Sequence, residues 1–169
     1  KEIARNKIGS ATANFDVDLD TTKRYYMILT NIQGKNSSGV NWQTRMGNGS
    51  INTSSIYGMR YSLNGGTDSE TDNQDYLQSG TNPTDQPQFS VGYIANISGQ
   101  SKLYTSLDVN QQTAGAGNYP KRGEYTGKWK SNDVVDVIGA TTTSSYTMSA
   151  DSEMVVLGWD PTDTHTDNF

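Results

Sequence analysis

Short apolar runs, each cut off by glycine, asparagine, serine or aspartate, constrain this chain more than any other feature. The last run, Glu153-Met154-Val155-Val156-Leu157-Gly158, follows the turn-like Ser149-Ala150-Asp151-Ser152 and stops at Gly158-Trp159-Asp160-Pro161. Earlier runs have the same build, and no stretch between them keeps a helical period. Short strands joined by polar turns predict an all-β chain folded as a single antiparallel β-sandwich. Nine to eleven strands and no long helix are expected.

Individual segments follow the period of two that a half-buried strand requires. Phe15-Asp16-Val17-Asp18-Leu19 puts three apolar side chains on one face and two carboxylates on the other. Tyr25 to Ile32 is nearly continuous and reads as a central strand. Val40 to Met46, Tyr57 to Leu63, Phe89 to Ile97, Leu103 to Gln111, Glu124 to Trp129 and Val134 to Ala140 supply further strands. Gly47-Asn48-Gly49-Ser50 and Asn64-Gly65-Gly66 are turn signals, because Asn-Gly tolerates positive φ. The alternation predicts a core of Phe15, Val17, Leu19, Tyr26, Ile28, Phe89, Val91, Leu103, Leu107, Val135, Val137, Val155 and Leu157.

Residues 14–160 are assigned to the sandwich, residues 1–13 to an N-terminal arm and residues 161–169 to a C-terminal arm or linker. Two segments are expected as exposed loops that carry any contact with a ligand or partner. Thr67 to Gln88 is acidic and almost free of apolar residues, and Thr113 to Pro120 is rich in glycine.

Composition separates this polar chain from a disordered one. Only 32% of its 169 residues are hydrophobic, yet it carries ten Tyr, three Trp and three Phe, and just 18% are charged. Serine, threonine, asparagine and glycine supply the polarity, and they suit β surfaces and turns. A formal net charge of -5 without basic runs argues against a nucleic-acid partner. No apolar stretch approaches the roughly 20 residues of a membrane helix. The absence of cysteine excludes disulfides and Cys-ligated zinc.

Several segments occur in a telling order: Tyr25-Tyr26-Met27-Ile28-Leu29, Arg45-Met46-Gly47-Asn48-Gly49, Arg60-Tyr61-Ser62 with Asn64-Gly65-Gly66, and Phe89-Ser90-Val91-Gly92-Tyr93. Gly115-Ala116-Gly117, Gly127-Lys128-Trp129 and Ser152-Glu153-Met154-Val155-Val156-Leu157-Gly158 follow them. Together they resemble the jelly-roll-like β-sandwich modules in virion surface and structural proteins of tailed bacteriophages and archaeal viruses. The resemblance spans roughly Tyr25 to Asp160. It implies a self-assembling module on a virion or cell surface, extracellular, with loops open to receptor contact. It maps no catalytic or ligand residue onto this chain.

Residues able to do chemistry are few. His165, the only histidine, sits in the polar tail, where no rigid pocket or orienting carboxylate would support a triad. Asp16 and Asp18 share a strand face in the manner of a solvated surface rather than of a glycosidase pair flanking a sugar. Calcium is the one cofactor the residues allow, since clustered oxygens in a loop can supply its ligands. Asp68, Glu70, Asp72, Asn73 and Asp75 form the first such cluster, and Asp160, Asp163, His165 and Asp167 the second. Asp16, Asp18 and Asp20 open like an EF-hand loop but lack its later glycine and acid. Tyr76 and Tyr119, one in each long loop, are the candidate ligand-binding aromatics.

The leading expectation is a non-enzymatic structural or attachment module whose partners are copies of itself. A lectin-like domain binding cell-surface glycan is the alternative, and a polysaccharide-degrading enzyme comes third.

Overall fold

The computed structural model describes residues 1–20, 22–34, 41–80, 86–111, 115–142 and 146–162. Those residues hold twelve strands and no helix: β1 (Glu2–Lys7), β2 (Asn14–Asp18), β3 (Tyr25–Ile32), β4 (Trp42–Gly47), β5 (Tyr57–Leu63), β6 (Ser69–Gln74), β7 (Leu77–Gln78), β8 (Gln88–Ala95), β9 (Lys102–Asn110), β10 (Lys121–Trp129), β11 (Val137–Thr142) and β12 (Glu153–Trp159). All pairings are antiparallel, as expected. Eight strands make one sheet in the order β1-β12-β3-β8-β9-β10-β5-β6, and four make the other in the order β2-β11-β4-β7.

The core lies between the sheets. Phe15, Val17, Trp42, Met46, Leu77 and Ile138 from the small sheet meet Tyr26, Ile28, Ile94, Tyr104, Met154 and Val156 from the large one. Tyrosine hydroxyls tie the layers together. Tyr57 donates to Met46 O at 2.9 Å, Tyr26 donates to Val135 O at 3.1 Å, and Tyr104 meets Ser79 Oγ at 2.9 Å. Burial raises the Tyr57 phenol to about 12, so it keeps its proton and its donor role at neutral pH. Asn96 is a second tie. Its Oδ1 accepts from Val135 N at 2.7 Å and its amide donates to Lys23 O at 2.9 Å. At 4% exposure this asparagine is buried.

The alternation places the early core correctly and inverts part of the late one. Phe15, Val17, Leu19, Tyr26, Ile28, Val135 and Val137 are buried as expected. Phe89, Leu103 and Leu107 are exposed instead, at 45%, 61% and 61%, and Val91, Val155 and Leu157 are only half-buried. On β9 it is Lys102, Tyr104, Ser106, Asp108 and Asn110 that point inward. Inward alternation assumes that the polar face of a strand is the wet one. Here the inward charged groups find partners, although the Ser106 hydroxyl is buried without one. Lys102 Nζ donates to the carbonyls of Ile97 at 2.8 Å, Ser131 at 3.4 Å and Gln100, and Asp108 accepts from Tyr125 OH at 3.4 Å.

Two further expectations are corrected. The segment Thr67 to Gln88 is not a plain exposed loop. It contains edge strand β6, paired with β5, and β7, which pairs with β4 at the edge of the small sheet and whose Leu77 and Gln78 are buried. β6 escapes an apolar pattern because Ser-Glu-Thr-Asp-Asn-Gln buries neither face and is held by its backbone ladder and by ion pairs of Glu70 and Asp72. The expected N-terminal arm supplies β1, which pairs with β12 and closes one edge of the large sheet. The Asn64-Gly65 turn does take two positive φ angles, 55° and 73°, closing β5 onto β6 with Gly66 N bonded to Leu63 O at 2.9 Å.

Candidate functional site

The most distinctive surface of the described residues is the outer face of the eight-stranded sheet. Strands β12, β3, β8 and β9 are neighbours, so their outward side chains fall into rows fixed by register. Leu157, Met27, Tyr93 and Thr105 make one row; Val155, Leu29, Val91 and Leu107 make the next. Trp159, Tyr25, Ala95 and Leu103 lie beyond the first, and Glu153, Asn31, Phe89 and Val109 beyond the second. Apolar side chains thus occupy nearly every outward position on four adjacent strands. Of the eight exposed large hydrophobics among the described residues, six sit on this face: Phe89, Tyr93, Leu103, Leu107, Val109 and Trp159. Clustering of that kind separates an interaction surface from scattered surface leucines.

Charge begins where the apolar columns end. On one side β1 presents Glu2, Arg5 and Lys7, with Arg5 bridging Glu2 at 3.0 Å and Glu153 at 2.8 Å, and Lys7 reaching Asp151 at 2.8 Å. On the other side β10 presents Arg122, Glu124, Thr126 and Lys128, followed by Arg60 on β5. An apolar centre within a polar rim is the anatomy of a protein interface.

Ala95 lies at the floor of a relief in the face. Its small side chain leaves a hollow of about 340 Å³ bounded by Tyr25, Tyr93, Leu103 and Trp159. The rings of Tyr25 and Trp159 stand 5.8 Å apart and form a ledge along it, with the Arg24 guanidinium 5.7 Å from the Tyr25 ring centre.

The residues singled out for binding are not brought together. Tyr119 is 87% exposed, whereas Tyr76 is half-buried and packs on the core. The acidic cluster is divided among three cations. Asp68 and Glu70 face Arg60, Asp72 pairs with Lys130, and Asp75 pairs with Arg45. The Lys130 ammonium and the Asn73 backbone N–H hold the Asp72 carboxyl below its usual range. Among the described residues no three acidic or imidazole groups assemble into a set able to hold a metal ion. Asp160 is engaged by Arg24 N at 2.8 Å and Lys23 Nζ at 3.1 Å, while Asp163, His165 and Asp167 lie outside the described residues. Burial and the neighbouring Asp18 raise the Asp16 carboxyl above its usual range.

The apolar face escaped the reading of the sequence although its signal was present. Phe89, Val91 and Tyr93 alternate with Gln88, Ser90 and Gly92, and Leu103, Leu107 and Val109 with equally regular polar residues. Periodicity finds the two faces without saying which one is the inside.

Comparisons with known proteins add no family. No protein-family model matches the chain, and neither does any curated protein sequence. Among solved structures, the outer membrane protein OprG from Pseudomonas aeruginosa aligns with a TM-score of 0.17 and 5% identity, over 83% of this chain and 100% of that one. An α-xylosidase of family GH31 from Xanthomonas citri aligns with a TM-score of 0.12 and 8% identity, over 92% of this chain and 25% of that one. Scores this low carry no argument about fold or function.

Proposed function

We propose that this protein is a non-enzymatic structural or attachment module that assembles through the outer face of its eight-stranded sheet, with copies of itself as partners. The observation that carries the reading is the apolar surface four strands wide, framed by paired charges on β1 and β10. A soluble domain leaves such a surface in water only at a cost, and covering it recovers about 25 cal/mol per Å². The resemblance to virion surface modules supports the same reading and suggests a virion or cell surface as its place of work.

Light scattering on a sizing column tests it, with the full chain beside a Val91→Lys variant. Oligomers for the first and monomers of unchanged β content for the second are expected. A wild-type chain that stays monomeric at high concentration overturns the proposal.

One observation favours carbohydrate binding as a second reading. The Tyr25–Trp159 ledge is an aromatic platform of the kind on which sugar rings stack. Glycan-array binding lost in Trp159→Ala would support it, and an empty array would remove it.

A further inference from the structure

We propose that a second copy covers the outer face about a two-fold axis lying in the interface, parallel to the strands and between β3 and β8. The inference rests on the reading above and specifies its geometry. Such an axis places β3 over β8, β12 over β9 and β1 over β10 of the second copy, row against the same row. The four apolar columns then map onto themselves, with Leu29 over Val91 and Val155 over Leu107. Tyr25 falls over Ala95, so a bulky ring meets the hollow of about 340 Å³. At the rim, Arg5 approaches Glu124 of the second copy, and the pair occurs twice by symmetry.

The alternative two-fold, perpendicular to the strands, sets rows against inverted rows. It would bring Arg122 against Lys128 on β10 and Trp159 against Glu153 on β12. Like charges and a carboxylate under an indole disfavour it. In the preferred arrangement Lys7 approaches Arg122 and Lys1 lies near the Lys128 row, and Asp151 already sits 2.8 Å from Lys7 Nζ.

The size of the face fits. Six strands from β1 to β10, spaced about 4.8 Å, and some seven residues of length give roughly 29 by 23 Å, about 670 Å² in plan before side-chain relief is added. A stable interface covers about 800 Å² per partner. Aligned sheets cross at about 30°, which displaces the rim rows by about 6 Å, within the reach of an arginine side chain.

Charge reversal tests the arrangement, with sedimentation equilibrium reading the dimer dissociation constant. Arg5→Glu and Glu124→Arg are each expected to weaken the dimer about tenfold, because two symmetry-related attractions become repulsions. The double variant is expected to return to within about threefold of wild type. If the losses in the double variant add instead, the two-fold arrangement is wrong while assembly through the face stands. Assemblies larger than dimers also overturn the arrangement, since heterologous contacts would then build them. Leu29→Lys separates the two levels, because it disrupts packing on the face about any axis. A monomeric wild type, or a dimer that Leu29→Lys leaves intact, overturns the underlying reading itself.

Discussion

Leu107→Ser distinguishes a residue awaiting a partner from one holding the fold. Leu107 is 61% exposed in the single chain. A fully buried leucine contributes about 1.5–3 kcal/mol. The covered fraction therefore gives the monomer about 1 kcal/mol, or a melting-temperature loss of about 2–4 °C for a chain of this size. Docking hides the remaining fraction on both copies, about 2–3.5 kcal/mol in total, which is roughly 30- to 400-fold in dissociation constant. The adjacent inward residue gives the contrast. Tyr104 is 5% exposed and bonded to Ser79, so Tyr104→Ala should cost about 3–5 kcal/mol of fold stability. Melting followed by circular dichroism, far below the dissociation constant, isolates the monomer, and sedimentation equilibrium measures association. The reasoning is refuted if Leu107→Ser destabilises the monomer as much as Tyr104→Ala, or leaves association unchanged.

Three further outcomes are expected. Leu77→Ala, at a position with 0% exposure, should lower stability by about 2–5 kcal/mol in denaturant melts, whereas a loop position would show almost no change. Lys102→Met should cost about 1–3 kcal/mol by the same assay, since Nζ leaves the carbonyls of Ile97, Gln100 and Ser131 without their donor. Asp16→Asn should raise the melting temperature at pH 7. The folded chain holds this carboxyl above the ordinary aspartate value of 3.8, so the stability its protonated form contributes is complete below that pH and lost as pH rises through the raised value. The gain should shrink as pH falls toward 3.8, and a gain constant across pH would contradict the assignment.

The fold class was legible because turns and short strands are local signals. Asn64-Gly65 marked its hairpin, and Tyr26 and Ile28 marked the inward face of β3, since both features are written within a few residues. What was not legible depended on distant partners. The inward polar face of β9 is satisfied by the Ser131 carbonyl, 29 residues from Lys102, and by Tyr125, 17 residues from Asp108. No local pattern reveals those contacts. β6 stayed hidden because an edge strand with two wet faces has no hydrophobic period, and β1 because its partner β12 lies at the other end of the chain. The same limit concealed the outer face. Its four strands come from three separated parts of the sequence and become one surface only after pairing.

Radical footprinting of the aromatic side chains at low and high protein concentration reads directly whether association covers the outer face. Trp42 and Trp129 are buried in the single chain, so among the tryptophans Trp159, at 40% exposure, reports on the face. Tyr93, at 44%, reports on its centre, and Tyr119, at 87%, is the exposed reference away from it. Labelling of Trp159 and Tyr93 is expected to fall several-fold at high concentration while Tyr119 stays reactive. Equal labelling of all three at both concentrations would contradict it.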